Sequence, residues 1–217
     1  MIILNYPNNP TGKILSDELL DSIIQTAKEH DLYVLSDEIY EYYFKDSDQP
    51  SSNIWEYRYE KSIITRSFSN SYAMTGYRIG YAIAEPSIIE KMSKLQALSL
   101  TNVSEPIQYA TLQALKADRS ENTKIINSRL ETLVKSAKDI GLEFVKPDGA
   151  MYLFAKTKYK NFDATKFSEK LLEHGDAIAP GEGFGDYKEF FRITAIDETR
   201  LKEGMIILDT ILKESYE

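Results

Sequence analysis

Residues 1–38 decide the fold, and their sequence is MIILNYPNNPTGKILSDELLDSIIQTAKEHDLYVLSDE. A short apolar run at 2–4 comes first, and a second apolar run follows at 32–35. Between them, apolar side chains recur at helical spacing from Leu19 to Ala27, after Ser16 as a capping residue, and predict one buried helical face. A third strand-length run lies at 63–65. Strands that alternate with helices are typical of a parallel sheet covered by helices.

The pattern changes after Pro86, where helices replace the alternation of strands and helices. We therefore predict an α/β protein in which residues 1–118 form part of a large, mainly parallel domain. Residues 119–217 are predicted to form a linking helix and a smaller α+β domain. The predicted elements after Pro86 are helices at 87–98, 105–116 and 120–140, strands at 142–145 and 151–155, a helix at 164–173, a strand at 190–195 and a helix at 198–213.

Composition excludes several classes of function. The 217 residues include 26 basic and 34 acidic side chains, a net charge of -8, and this balance does not favour nucleic acid as a partner. There is no cysteine, so disulfides, thiolate metal sites and cysteine nucleophiles are excluded, and with only two histidines no metal site is expected. The first apolar run is too short for a signal peptide or a membrane span, so we expect a cytoplasmic protein that does not bind membranes.

Polar clusters follow three predicted strands, at 5–12, 36–40 and 67–81. In α/β folds, ligands bind at the carboxyl edge of the sheet, where such clusters meet. The third cluster combines hydroxyl groups with Arg78, and these groups suit a phosphate. Each of the first two clusters also has a plainer explanation, because Asn, Pro and Gly form turns and an acid at a strand end often caps a helix.

Taken in order, these three clusters resemble the class I/II aminotransferases, the fold-type-I pyridoxal-phosphate enzymes of the aspartate aminotransferase superfamily. Further blocks at 147–152 (PDGAMY), 180–185 (PGEGFG) and 191–194 (FRIT) agree with the same family. The resemblance implies a pyridoxal 5′-phosphate enzyme that moves an amino group between an amino acid and a 2-oxo acid. It also implies that residues 1–118 are the carboxyl-terminal half of the large cofactor-binding domain.

The resemblance assigns the cofactor contacts residue by residue. Asp37 would pair with the ring nitrogen and keep it protonated, so that the ring withdraws electrons from the substrate. The remaining implied contacts are Asn9 and Tyr40 with the ring hydroxyl, and Ser67, Ser69 and Arg78 with the phosphate.

Arg192 is the implied ligand of the substrate's α-carboxylate. It lies within an apolar run, where an unpaired charge would cost several kcal/mol, and a guanidinium can bind a carboxylate through two parallel hydrogen bonds. A structural salt bridge is the alternative explanation for Arg192.

The sequence departs from the family at position 70. The family's Schiff-base lysine would fall there, but the chain has Asn70, whose amide can neither bond covalently to the cofactor nor move the substrate's proton. Lys61 and Lys91, the nearest lysines in sequence, lie outside the motif. We therefore expect the chain by itself to be inactive. Neither a natural loss of the lysine nor a deliberate replacement is favoured strongly.

The chain also begins at the strand that comes about midway along members of the family. The resemblance implies that the preceding half supplies part of the cofactor site and further strands of the sheet. We therefore expect an unpaired edge and an uncovered apolar face, covered by a second copy or by a separate polypeptide. The alternative functions are a non-catalytic remnant or interaction subunit, and a pyridoxal-phosphate lyase of the same fold.

Overall fold

The computed structural model describes residues 1–41 and 54–216. The chain forms two compact units: Met1–Pro7 with Ile14–Thr123, and Asn8–Lys13 with Lys124–Glu217. Each unit has its own four-stranded sheet and its own hydrophobic core. The domain limits 1–118 and 119–217 stay a prediction.

Among its described residues, the first unit contains four strands and three complete helices. Single turns of 3-10 helix lie at Ile54–Tyr57 and Thr75–Tyr77. In chain order, its elements are β1 (Ile2–Asn5), α1 (Asp17–Glu29), β2 (Val34–Asp37), β3 (Ser62–Ser67), β4 (Gly80–Ala84), α2 (Pro86–Ser99) and α3 (Glu105–Ala114).

The sheet of the first unit has the strand order β1-β2-β3-β4. Strands β1, β2 and β3 are parallel, and the prediction of an α/β fold with a mainly parallel sheet is confirmed. Strand β4 was not predicted; it runs antiparallel to β3 and begins at Gly80, within the segment interpreted as a loop. A Cβ at Gly80 would lie 2.5 Å from the Arg66 carbonyl oxygen, so this close approach of the two strands requires glycine.

Helix α1 covers the sheet of the first unit. Its cap is Ser16, whose Oγ accepts a hydrogen bond from the Leu19 backbone N–H at 3.3 Å. Leu20, Ile24 and Ala27 are buried against Leu4, Leu15, Val34, Ile54 and Ile64. The prediction that Leu19 shares this buried face is wrong, since Leu19 is 50% exposed. Leu19 is turned by about 100° from Leu20 around the helix, which takes it off the stripe.

The second unit packs its helices on a sheet of order β5-β6-β8-β7, in which all the pairs are antiparallel. Helix α5 begins after Asp163, which accepts hydrogen bonds from the backbone N–H groups of Thr165 and Lys166. The elements are α4 (Ser120–Asp139), in which the boundary between the units falls, then β5 (Glu143–Phe144), β6 (Tyr152–Lys156), α5 (Ala164–Glu173), β7 (Ala179–Pro180), β8 (Phe190–Thr194) and α6 (Glu198–Tyr216).

Fully buried side chains from both the helices and the sheet form the core of the second unit. Leu133 of α4, Leu153 of β6, Phe167 of α5, Phe191 of β8 and Leu208 of α6 all belong to it. Phe167 and Phe191 pack with tilted rings 6.2 Å apart. Within residues 1–41 and 54–216, no helix has the length and apolar content needed to cross a membrane.

Candidate functional site

Asp37 ends β2, and its side chain is held from both neighbouring strands. The register pairs it with Asn5 on β1 and with Thr65 on β3. Asn5 Nδ2 donates to Asp37 Oδ2 at 3.0 Å, and Thr65 Oγ1 donates to Asp37 Oδ1 at 3.4 Å. Burial raises the pKa of Asp37 above its ordinary value of 3.8, and hydrogen bonds from Asn5, Thr65 and the Ile39 backbone offset this only in part. A cationic partner would therefore stabilise the carboxylate.

A network of three charged side chains lies next to Asp37 and was not anticipated from the sequence. Arg66 donates from Nε and Nη2 to Glu38 Oε2, at 3.1 and 2.9 Å. Its Nη1 lies 2.6 Å from Glu41 Oε2. Burial opposes the charge of Arg66, but Glu41, Glu38 and Tyr81 outweigh it and raise the pKa of the guanidinium. In the sequence, the only indication of this network is that charged residues lie at the ends of predicted strands or shortly after them.

The network fixes the turn at 38–41, which carries Tyr40. The Glu38 backbone N–H donates to the Thr65 carbonyl at 2.9 Å, so the turn is also tied to β3 through the backbone. Tyr40 is buried. The structure thus places Tyr40 and Asp37 on one short segment anchored to the strand that leads into Ser67.

The loop after β3 is built around hydroxyl groups. Ser67 Oγ accepts a hydrogen bond from the Ser69 backbone N–H at 3.1 Å. Ser71 is buried, and its Oγ donates to the Ile39 carbonyl at 3.3 Å, which ties the loop to the turn at 38–41. Asn70 lies between these anchored residues and is half-buried, and its backbone carbonyl accepts a hydrogen bond from the Ala73 N–H at 3.1 Å.

Arg78 follows the same loop and is exposed. Its backbone has a φ of 52°, in the left-handed region, and its Nη1 donates to the Thr75 carbonyl at 3.1 Å. The guanidinium therefore lies against its own loop. Its exposure leaves room for an anion.

No lysine lies between β3 and β4, because the segment 62–84 contains none. Lys61 precedes β3, at the end of the strand opposite to Ser67, and forms an ion pair with Asp31. A strand of six residues separates the two ends by about 17 Å. Lys91 and Lys94 lie on α2. This helix begins after Ala84, which pairs with Ile63 near the end of β3 that is opposite to Ser67. Lys45 lies outside the described residues.

The turn at 8–13 belongs to the second unit and packs on the loop at 147–149. Asn8 Oδ1 accepts hydrogen bonds from the Thr11 backbone N–H at 3.1 Å and from Thr11 Oγ1 at 2.7 Å. The Gly12 carbonyl accepts hydrogen bonds from the N–H groups of Asp148 and Gly149, at 2.8 and 2.9 Å. Gly12 has a φ of +68°, and a Cβ there would lie 2.5 Å from Pro147 Cβ. Residues of the sequence blocks at 5–12 and 147–152 are therefore in direct contact.

Arg192, on β8 of the second unit, is held by Asn9 and by two aromatic rings. Its Nη1 donates to Asn9 Oδ1 at 2.8 Å. Its Cζ lies 4.4 Å from the ring centroid of Tyr152 and 5.2 Å from that of Phe184. The Nε atom is buried and has no hydrogen-bond partner among the described residues. An unpaired buried donor on a guanidinium is a group prepared for an anionic acceptor.

The eight predicted site residues thus form two groups. Asn9 and Arg192 lie in the second unit and contact each other. The first unit contains the other six, which all lie in segments at or after the carboxyl ends of β2 and β3: Asp37, Tyr40, Ser67, Ser69, Asn70 and Arg78.

Comparison with known proteins agrees with these motifs. The family model "Aminotransferase class I and II" matches residues 1–206. The chain is 36% identical to an aspartate aminotransferase of Pyrococcus horikoshii over 98% of its own length and 56% of that protein. It is also 36% identical to aromatic-amino-acid aminotransferase 2 of Thermococcus litoralis, over 98% of the chain and 57% of that protein.

A solved structure shows the same fold. The crystal structure of an aspartate aminotransferase from Thermotoga maritima superposes with a TM-score of 0.90 at 32% identity, over 97% of this chain and 56% of that one. The chain therefore spans little more than half the length of the relatives it matches. Both the sequence and the fold show that the chain belongs to the class I and II aminotransferase family.

Proposed function

We propose that this protein is, by descent, a pyridoxal-phosphate-dependent aminotransferase, an enzyme that moves an amino group between an amino acid and a 2-oxo acid. We propose further that the chain, with Asn70 in the position of the Schiff-base lysine, binds cofactor and carboxylate without performing this transfer. The observation that carries the proposal is the desolvated carboxylate of Asp37, held between Asn5 and Thr65 at the edge of the sheet.

The residues of the first unit fit the non-covalent contacts of pyridoxal 5′-phosphate. When bound, this group supplies a protonated, electron-withdrawing ring. Asp37 would hold the proton at the ring nitrogen, and the positive charge there would offset the burial that raises its pKa. Tyr40 would bind the ring hydroxyl. The phosphate would be bound by the hydroxyls of Ser67 and Ser69 and by the exposed Arg78, while the role of Asn9 at the ring hydroxyl stays a prediction from the resemblance.

In the second unit, Arg192 would bind the substrate's α-carboxylate. Asn9 holds Nη1, and the two rings fix the plane of the guanidinium. A carboxylate oxygen would satisfy the buried Nε, which has no partner among the described residues. Every amino acid has an α-carboxylate, so Arg192 does not distinguish aspartate from aromatic substrates.

A second candidate function is a non-catalytic binding subunit. It is favoured by Asn70 and by the lack of lysine throughout 62–84. An amide cannot act as a nucleophile or as a general base toward the substrate's α-proton. Under this function the family site persists as a binding site only.

A titration with pyridoxal 5′-phosphate tests the proposal. Equilibrium dialysis of the chain is expected to show saturable binding, and Asp37→Ala is expected to weaken it at least about tenfold, because a hydrogen bond to a charged group contributes about 1.5–3 kcal/mol. Fluorescence of Trp55, the one tryptophan, verifies that the variant is folded. Equal binding by the chain and by Asp37→Ala would overturn the cofactor site. If the chain transfers an amino group from any common amino donor at a rate above background, the proposal that it is inactive is wrong.

We also propose that the protein associates through the apolar face of α2 and α3, with a second copy or with a polypeptide that supplies the rest of a cofactor site. Helix α2 has no buried residue, and Leu95, Leu98 and Leu112 are exposed, as is the following Leu100. Exposed apolar patches of this kind mark interaction surfaces. Light scattering at micromolar concentration and a dye that binds exposed apolar surface test this association. A monomer that does not bind the dye would contradict the proposed association. A cytoplasmic location stays a prediction.

A further inference from the structure

Asn70 has a fixed place in the loop after β3. On one side, Ser69 is tied to Ser67 by the hydrogen bond between its N–H and Ser67 Oγ. On the other side, buried Ser71 is tied to the Ile39 carbonyl. The backbone of Asn70 is thus anchored three residues from Ser67 and beside the turn that follows Asp37.

An amide changes which form of the cofactor suits this position. A lysine there can condense with the aldehyde of pyridoxal 5′-phosphate, but Asn70 cannot, so the aldehyde gains no covalent bond. The amine form, pyridoxamine 5′-phosphate, carries an ammonium group at the same carbon. The oxygen of an amide accepts a hydrogen bond from an ammonium, whereas the ammonium of a lysine would repel it.

We propose that Asn70 makes this a site for the amine form of the cofactor, so that the chain binds pyridoxamine 5′-phosphate, and secondary amines derived from it, more tightly than pyridoxal 5′-phosphate. The inference rests on the proposed cofactor site. A chain with this preference retains the aminated cofactor without reacting with it.

Two titrations of the same protein test the preference. Equilibrium dialysis should give a dissociation constant for pyridoxamine 5′-phosphate about tenfold below that for pyridoxal 5′-phosphate, the factor expected from one hydrogen bond to a charged group. Pyridoxal 5′-phosphate also reacts with surface lysines, and Asp37→Ala measures that background. Asn70→Leu, similar in size but without an acceptor, should weaken the amine form about tenfold and leave the aldehyde form unchanged.

Asn70→Lys should reverse the order. The introduced ε-amine condenses with the aldehyde and releases water, and borohydride reduces the resulting C=N bond to a stable secondary amine. We expect at least about 100-fold tighter binding of the aldehyde form, an adduct mapped to position 70, and weaker binding of the amine form, because two ammonium groups then meet.

The outcomes separate this inference from the proposed function. If the aldehyde form binds in an Asp37-dependent manner and the amine form binds no more tightly, the inference is wrong and the cofactor site stands. An adduct at another lysine that forms with the unaltered chain but not with Asp37→Ala would also overturn the inference. If neither form binds, both proposals fail.

Discussion

Replacing Arg66 by methionine should destabilise the first unit strongly. Arg66→Met keeps much of the apolar stem but removes the cation that Glu38 and Glu41 share. Both carboxylates would then remain close together with their main counter-charge lost. The expected effect is a lower free energy of unfolding for the unit that carries Asp37 and Tyr40.

The geometry sets the magnitude. The side chains of Arg66, Glu38 and Glu41 are only 17%, 12% and 11% exposed, so water screens their charges weakly. Removing one partner from a buried ion pair costs about 3–5 kcal/mol. Because some exposure remains, we expect the lower end, about 3 kcal/mol. At a urea dependence of about 1–3 kcal/mol per molar, this loss lowers the unfolding midpoint by about 1–3 M.

Fluorescence of Trp55 during urea unfolding measures this loss. Trp55 is the one tryptophan in the sequence and lies in the first unit, so its signal follows that unit. The matched control is Lys94→Met, which removes an ion pair with Glu90 whose side chains are 71% and 67% exposed. That pair contributes at most about 0.5 kcal/mol. If Arg66→Met costs no more than Lys94→Met, the reasoning about burial is refuted.

Two further predictions concern Asp37 and Gly12. Since the folded chain holds the Asp37 proton to higher pH than the unfolded chain, stability should fall as pH rises from 3.8 through the raised pKa. Asp37→Asn should therefore be more stable than the unaltered chain at pH 7 but not at pH 3, as measured by urea unfolding. An equal effect on the free energy of unfolding at the two pH values would show that the environment does not disfavour the carboxylate. Gly12 has a φ of +68°, and the Cβ introduced by Gly12→Ala would lie 2.5 Å from Pro147 Cβ. This variant should therefore lose more stability than the control Gly175→Ala, because Gly175 has a φ of +82° but a Cβ there would meet only open space. The control should lose about 1–2 kcal/mol from the left-handed backbone alone, and equal losses in thermal unfolding followed by circular dichroism would argue against the clash.

The elements that the sequence predicted are those in which apolar spacing and capping agree. Ser16 and the residues after it predicted α1, and the apolar runs predicted β1, β2 and β3, because these patterns reflect burial against one face. Strand β4 was missed, since Gly80 and Tyr81 follow a segment rich in turn and hydroxyl residues. Its pairing with β3 depends on the close approach at Gly80, which no local pattern reveals.

For the candidate site, order along the chain predicted where the polar segments lie but not what they contact. Asp37 ends an apolar run, and that placed it at a sheet edge. Its hydrogen bonds from Asn5 and Thr65 depend on the register of three strands. Likewise, the contact between Arg192 and Asn9 joins residues separated by 183 positions, and the resemblance assigned the two residues separate roles without implying this contact.

The sequence by itself determined the family, the succession of strands and helices, and the lack of a lysine at position 70, because these are properties of residue order and local periodicity. Only the tertiary structure decided the environment of each charge: the Arg66 network, the raised pKa of Asp37 and the buried Nε of Arg192, which no described residue pairs with. The physical reason is that desolvation and hydrogen bonding depend on which distant residues share a space, and this is set by strand register and packing.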